Sequence, residues 1–342
     1  MRSTLTYAAI LSSLLLLTLS AAATAADGEY RVQTIELPGA SGGISIDYIA
    51  YDPATGSVWV PAGNTAAVDV IDSRTGKIRQ ITGLPTTEIT WRDRKHVVGP
   101  SAASAGDGVV YVGNRGDSSV CGYDSKTLER RACETLPSMP DGVKYVSDVR
   151  EVWVTTPRDR SLHILDAKTL HETGHVVLKG SPEGYAVDTG RHRFYTNLED
   201  ADRTVVLDTR THQALATWSP KCGEEGPRGL AIDSAAGHLF VACTDHVEVL
   251  DTRNGNILST LDTGAGVDNL DYAPHSHLLY AAAGRAGKLM IARDDAKGEL
   301  TLVASVPTRT GARNGVVTDD GTVYVAHGGA GEMVVVSPPT VK

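Results

Sequence analysis

Residues 193–211 read RFYTNLEDADRTVVLDTRT, and the fold follows from this stretch. A strand ends at Tyr195-Thr196-Asn197, a polar loop follows, residues 204–207 form a second strand, and Asp208-Thr209-Arg210-Thr211 is a turn. The pattern recurs seven times. Its marker is the aromatic of the second strand of each unit: Trp59, Tyr111, Trp153, Tyr195, Phe240, Tyr280 and Tyr324, spaced by 52, 42, 42, 45, 40 and 44 residues. A repeat of that length with four short strands is the signature of propeller blades.

After each marker strand come a third strand and, in five units, an Asp-led turn: DSRT at 72–75, DSKT at 124–127, DAKT at 166–169, DTRT at 208–211 and DTRN at 251–254. The aspartate can accept backbone N–H bonds inside the turn, with Gly or Asn expected in its left-handed position. These carboxylates are read as turn formers. A fourth strand follows each turn except in the seventh unit, where the sequence reaches Lys342 first. The strand YRVQTIEL at 30–37 precedes the first unit and is expected to complete the last blade, whose edge would otherwise stay unpaired. The expected fold is all-β: one seven-bladed β-propeller over residues 26–342, with four-stranded antiparallel blades and the N-terminal strand as clasp. The 52-residue spacing comes from a charged insertion, PTTEITWRDRKHVVGP at 85–100, read as an ordinary long surface loop, with a flap over one face as the alternative.

Residues 8–19 are an apolar run preceded by Arg2 and followed by Ala23-Thr24-Ala25, a small-x-small cleavage pattern. Residues 1–25 are therefore read as a signal peptide cleaved near Ala25, which places the chain in the periplasm or outside the cell. No other segment is apolar enough to span a bilayer. The formal charge of −9 argues against bulk binding to a phosphate backbone. The cysteines are Cys121, Cys133, Cys222 and Cys243. An even count in an exported chain points to disulfides. Of the three connectivities, Cys121–Cys133 and Cys222–Cys243 are preferred because each pair falls within one local hairpin or its adjoining loop. No C-x-x-C, P-loop, G-x-S-x-G or H-E-x-x-H is present.

Tyr195-Thr196-Asn197, VVLDTRT at 205–211 and PRGLAID at 227–233 resemble the YVTN-type repeat of YncE-like bacterial seven-bladed propellers. The resemblance covers essentially the whole of the chain after the signal peptide. It implies an exported binding protein, with lactonase, dehydrogenase-subunit and nucleic-acid-binding relatives supplying the alternatives.

The register of the repeat locates a candidate site. The residue 12 positions before each marker should stand at the start of the innermost strand of its blade. These residues are Asp47, Gly99, Asp141, Glu183, Arg228, Asp268 and, one residue late, Arg313, with Asn269 and Asn314 beside the last two. Four carboxylates around one axis repel one another unless paired or metal-bound. An ion-paired ring joining the blades is one reading, and a ligand or cation site is the other. The loops between second and third strands add a rim, including Asn64, Arg115, Arg158, Asn197, Glu199, Arg285 and His327. His327, in AHGGAG, is expected to be exposed by its Gly neighbours and to serve as an acid or base.

The leading expectation is a monomeric binding propeller whose charged mouth holds a small polar ligand, a cation or a protein partner. One alternative is a metal-dependent, lactonase-like hydrolase in which Glu183, Asp268 and Asn269 hold Ca²⁺ or another divalent cation. The other is single-stranded nucleic-acid binding, ranked last because it needs a basic, aromatic-lined groove.

Overall fold

The computed structural model describes residues 29–340 apart from Arg92; the proposed signal peptide lies outside the described residues. Seven four-stranded antiparallel sheets follow one another along the chain. In blade four the strands are Pro182–Asp188, Arg193–Leu198, Arg203–Asp208 and Ala214–Trp218, from the axis outward. Blade seven is ordered Arg313–Val317, Val323–His327, Glu332–Ser337 and then Arg31–Glu36. The clasp runs antiparallel, from Arg31 opposite Ser337 to Glu36 opposite Glu332. Among the described residues no helix is long and apolar enough to cross a membrane.

Burial explains the repeating sequence. Ser57–Ala62, the second strand of blade one, is buried at every position, because both faces of a middle strand meet a neighbouring blade. The outermost strand of blade five, Ile257–Asp262, alternates between half-buried and exposed positions, because only one of its faces packs inward. The marker aromatics fill the space between blades. Trp153 stacks on Phe194 with ring centroids 4.6 Å apart, in a cluster joining Leu162 and Ile164 of blade three to Leu198, Val205 and Leu207 of blade four. Two of the tyrosines also reach the turn of the next blade through their hydroxyls: Tyr111 donates to Ala167 O at 2.9 Å and Tyr324 to Ser73 O at 3.1 Å.

The Asp-led turns form as expected. The Asp208 carboxylate accepts the N–H groups of Arg210 and Thr211, both at 3.0 Å, and Asp72, Asp124 and Asp166 repeat the pattern. The left-handed residue differs from expectation in three of them. Gly76 and Gly255 occupy it, but so do Leu128, Leu170 and His212, with φ of 66°, 60° and 60°. Leu170 is 1% exposed, and Leu128 packs against the core between blades one and two. Burial of those side chains offsets the roughly 1 kcal/mol strain of a non-glycine residue there.

Both expected disulfides are present. Cys121 stands directly opposite Cys133, one residue off the register expected from a simple hairpin, because a bulge after Gly122 shifts the pairing. The insertion is a two-stranded hairpin, Thr87–Trp91 with Arg94–Val98.

Trp153→Ala is expected to lower stability by about 3–5 kcal/mol, read as a shift of the urea midpoint. A change within about 0.5 kcal/mol would mean that blade packing does not hold the ring closed.

Candidate functional site

The inner ends of the innermost strands bring the repeat-register residues together. Asp47 and Asp141 stand just before Ala50–Asp52 and Val143–Val146, Glu183 lies within Pro182–Asp188, Arg228 precedes Leu230–Asp233, and Asp268 and Arg313 begin Val267–Ala273 and Arg313–Val317. Blade two departs with Gly99 for a steric reason. A Cβ there would lie 2.2 Å from the carbonyl oxygen of Gly63, so the backbone passage leaves no room for a side chain.

The second–third strand loops supply the counter-charges. Arg115, expected on the outer rim, instead reaches the centre. Its guanidinium donates to Asp47 at 2.7 Å and also to Asp141, joining three blades. Asn314 donates to the other Asp47 oxygen at 3.2 Å. Arg228 pairs with Glu199, Arg313 with Asp268 at 3.2 Å, and Arg285 with Glu225 at 3.0 Å. Glu183 is the exception: among the described residues it pairs with no guanidinium or ammonium. Its one hydrogen bond is long, from the Tyr48 hydroxyl at 3.5 Å. Tyr48 in turn stacks on Tyr185 with centroids 5.3 Å apart.

This inequality sets the protonation of the ring. Burial pushes the Glu183 carboxyl well above its ordinary value of 4.5, and the charges of Asp141, Asp47, Glu199 and Asp268 push it further. Burial also raises Asp141, with Arg115 pulling against it, and raises Asp268 against the pull of Arg313. Arg115 stays charged. Burial disfavours its cation, but Asp141 and Asp47 more than offset that. Glu183 therefore keeps its proton to a higher pH than an ordinary carboxyl, beside an Asp141 that burial also raises and Arg115 pulls down.

A cavity of about 810 Å³ opens above Glu183. Its floor holds Asp47, Arg115, Asp141 and Glu183, and its walls include Ile44, Ile46, Met139 and Arg158. The hairpin insertion covers it with Ile89, Trp91, Lys95, His96 and Val97, so the insertion is a flap over the mouth. A neighbouring cavity of about 670 Å³ is lined by Glu199, Glu225, Arg228, Asp268, Arg285 and Arg313, again with Trp91. Along the axis, the innermost strands of all seven blades line a channel cavity of about 300 Å³. There Lys144 and Asp271 face a common space, and burial lowers the Lys144 ammonium and raises the Asp271 carboxyl to about 6. Only burial in the folded channel marks this last pair, so the repeat register did not find it.

Several expected residues have structural partners. Asn197 is fully buried; it donates to Arg228 O at 2.5 Å and accepts from the Thr204 hydroxyl at 2.7 Å. Asn64 ties down the first loop through Ser45 N and Gly43 O. His327 is not the open histidine its glycine neighbours suggested. Its side chain is mostly buried, with Nδ1 2.9 Å from Glu332. The suggested cation ligands are divided: Glu183 lines the mouth, Asp268 the neighbouring cavity and Asn269 the channel. The Asn269 amide oxygen accepts from Leu270 N at 2.9 Å. Among the described residues no group of three or more His, Cys, Asp or Glu side chains is arranged to hold a metal ion. This donor set does not fit a divalent cation.

No protein-family model and no curated protein matches the chain. Solved structures do. A streptogramin B lyase is 12% identical with a TM-score of 0.73, covering 93% of this chain and 100% of its own. Hydrazine synthase of Kuenenia stuttgartiensis is 14% identical with a TM-score of 0.71, covering 88% and 97%. A chain of the mitotic checkpoint complex is 16% identical with a TM-score of 0.71, covering 95% and 98%. At such identities the likeness is one of fold.

Arg115→Met leaves Asp47 and Asp141 facing each other without their cation. It is expected to destabilise the fold by about 3–5 kcal/mol near neutral pH and by much less near pH 4, measured by urea unfolding. An equal loss at both pH values would contradict the charge assignment. Glu183→Gln has the opposite sign. A carboxyl whose pKa is raised on folding weakens the fold as pH rises above its unfolded value, here 4.5. The variant should melt higher than wild type at pH 8 and alike at pH 4, and a lower melting temperature at pH 8 would refute the raised pKa.

Proposed function

We propose that this protein is an exported binding propeller of the YncE-like type, holding a small polar organic ligand in the mouth beneath the hairpin flap. The carrying observation is Glu183, whose carboxyl alone among the ring acids lacks a basic partner among the described residues, at the floor of a covered cavity. A protonated carboxyl donates through its O–H and accepts through its second oxygen, which suits a ligand hydroxyl or carbonyl. The paired acids around it are fixed before the ligand arrives, so little ordering cost falls on binding. Ile46, Met139, Ile89 and Val97 would cover the ligand's apolar side, as in most small-molecule sites. Export rests on the pattern of residues 1–25. The acidic floor disfavours nucleic acid.

Thermal-shift screening against small polar metabolites tests the reading. At least one ligand should raise the melting temperature of wild type, and Glu183→Gln should lose that shift while staying folded. Equal shifts in the two proteins, or none in either, would overturn it.

A second reading has its own observation: a Glu183 raised by burial and lying close enough to Asp141 for that carboxylate to raise it further. Two neighbouring carboxyls that both hold protons to higher pH than usual can supply the acid and the base of a hydrolysis. If the ligand is a lactone, turnover should vanish in Glu183→Gln and persist in chelator, since the donor set does not fit a metal.

A further inference from the structure

The mouth and its neighbouring cavity meet at three residues that line both: Trp91, Glu199 and Arg313. Each cavity falls within the roughly 300–1,000 Å³ that one drug-sized ligand occupies, so the pair offers room for a longer molecule than the mouth alone. The charges of the second cavity narrow what that molecule is. Its three guanidiniums, Arg228, Arg285 and Arg313, each pair with one carboxylate, Glu199, Glu225 and Asp268. The wall therefore has no net charge with which to draw an anion or a cation. The pairs nevertheless keep spare hydrogen-bonding capacity, because a guanidinium has five N–H donors and a carboxylate about four acceptor sites. Arg285 and Glu225 are 58% and 59% exposed at their side chains, and such pairs add little to stability. Their placement around a cavity is better explained by recognition. At the boundary stands Trp91, 56% exposed, a broad apolar ring on the flap.

We propose that the two cavities form one extended site for a neutral glycan of several sugar units, lying across Trp91. Sugar hydroxyls act as both donors and acceptors, matching an array of paired guanidiniums and carboxylates. The C–H face of a pyranose is flat and apolar, matching an indole. An anion using the spare donors would be repelled by the carboxylate paired to each arginine, and a cation by each arginine. A hydroxyl is repelled by neither. The proposal rests on the mouth being a ligand site, and it adds the ligand class and a second subsite.

The test is calorimetric titration of the full folded protein with tetrasaccharides of glucose, galactose and N-acetylglucosamine and with the corresponding monosaccharides. At least one tetrasaccharide should bind about tenfold or more tighter than its monosaccharide. Trp91→Ala and Arg285→Met should each weaken that tetrasaccharide by about tenfold without changing the melting temperature. Tryptophan emission should shift on binding, since Trp91 is exposed and lines both cavities, whereas Trp59 and Trp153 are buried and the half-buried Trp218 lines neither. If no sugar in the panel binds, the glycan assignment falls. If the tetrasaccharide binds no tighter than the monosaccharide, or Trp91→Ala binds it like wild type, the extended site falls. Should Trp91→Ala abolish binding while Glu183→Gln leaves it intact, the glycan site stands and the central role given to Glu183 fails.

Discussion

A middle strand that buries both of its faces cannot end the stack. The second strand of blade one has no exposed position, so each blade needs a neighbour on either side. A set of twisted sheets under that demand must close on itself. Interblade packing of Trp153 on Phe194, and of Tyr195 against Leu239 and Val241, meets it between blades. The clasp meets it at the last outer edge. The mouth is a by-product of the same closure: seven strand beginnings are forced around one axis, and whatever side chains they carry must settle their charges among themselves.

That settlement divides the ring into scaffold and tool. Arg115 holds Asp47 and Asp141, and Arg228 and Arg313 hold their own acids. These charges fix geometry and are dear to disturb. Glu183 is outside the exchange, and burial together with its neighbours' negative charge raises its carboxyl. Function and stability pull in opposite directions at this residue, which is the expected condition of a working group in a preformed site.

Much of this was legible in the sequence because period and burial leave a strong mark. The marker aromatics, the Asp-led turns, the clasp and the disulfide pairs all follow from local pattern. The ring positions also followed, since a residue at fixed offset from the marker is at a fixed place in every blade. What the pattern could not carry was side-chain direction. Arg115 sits in a rim loop by register but points to the axis. His327 has glycine neighbours yet turns to Glu332. Asp268 and Asn269 are adjacent in the chain and face different cavities, as successive residues of a strand must, so they could not serve one cation together. The left-handed leucines escaped for a similar reason: a buried side chain decided the backbone, and burial is a property of the whole ring.

The clasp has a bearing on how such a protein comes to be. Its pairing joins two segments separated by almost the whole chain, whereas every other blade is made of consecutive strands. Blades one to six can assemble from contacts close in sequence. The seventh must wait for both ends, and it carries the greatest loop-closure entropy in the molecule. Until then Glu332–Ser337 presents a bare apolar edge, and Arg31–Glu36 is a strand without a sheet. Two chains caught at that stage have complementary halves of the same join, so crowding during maturation would favour exchange of the first strand between copies.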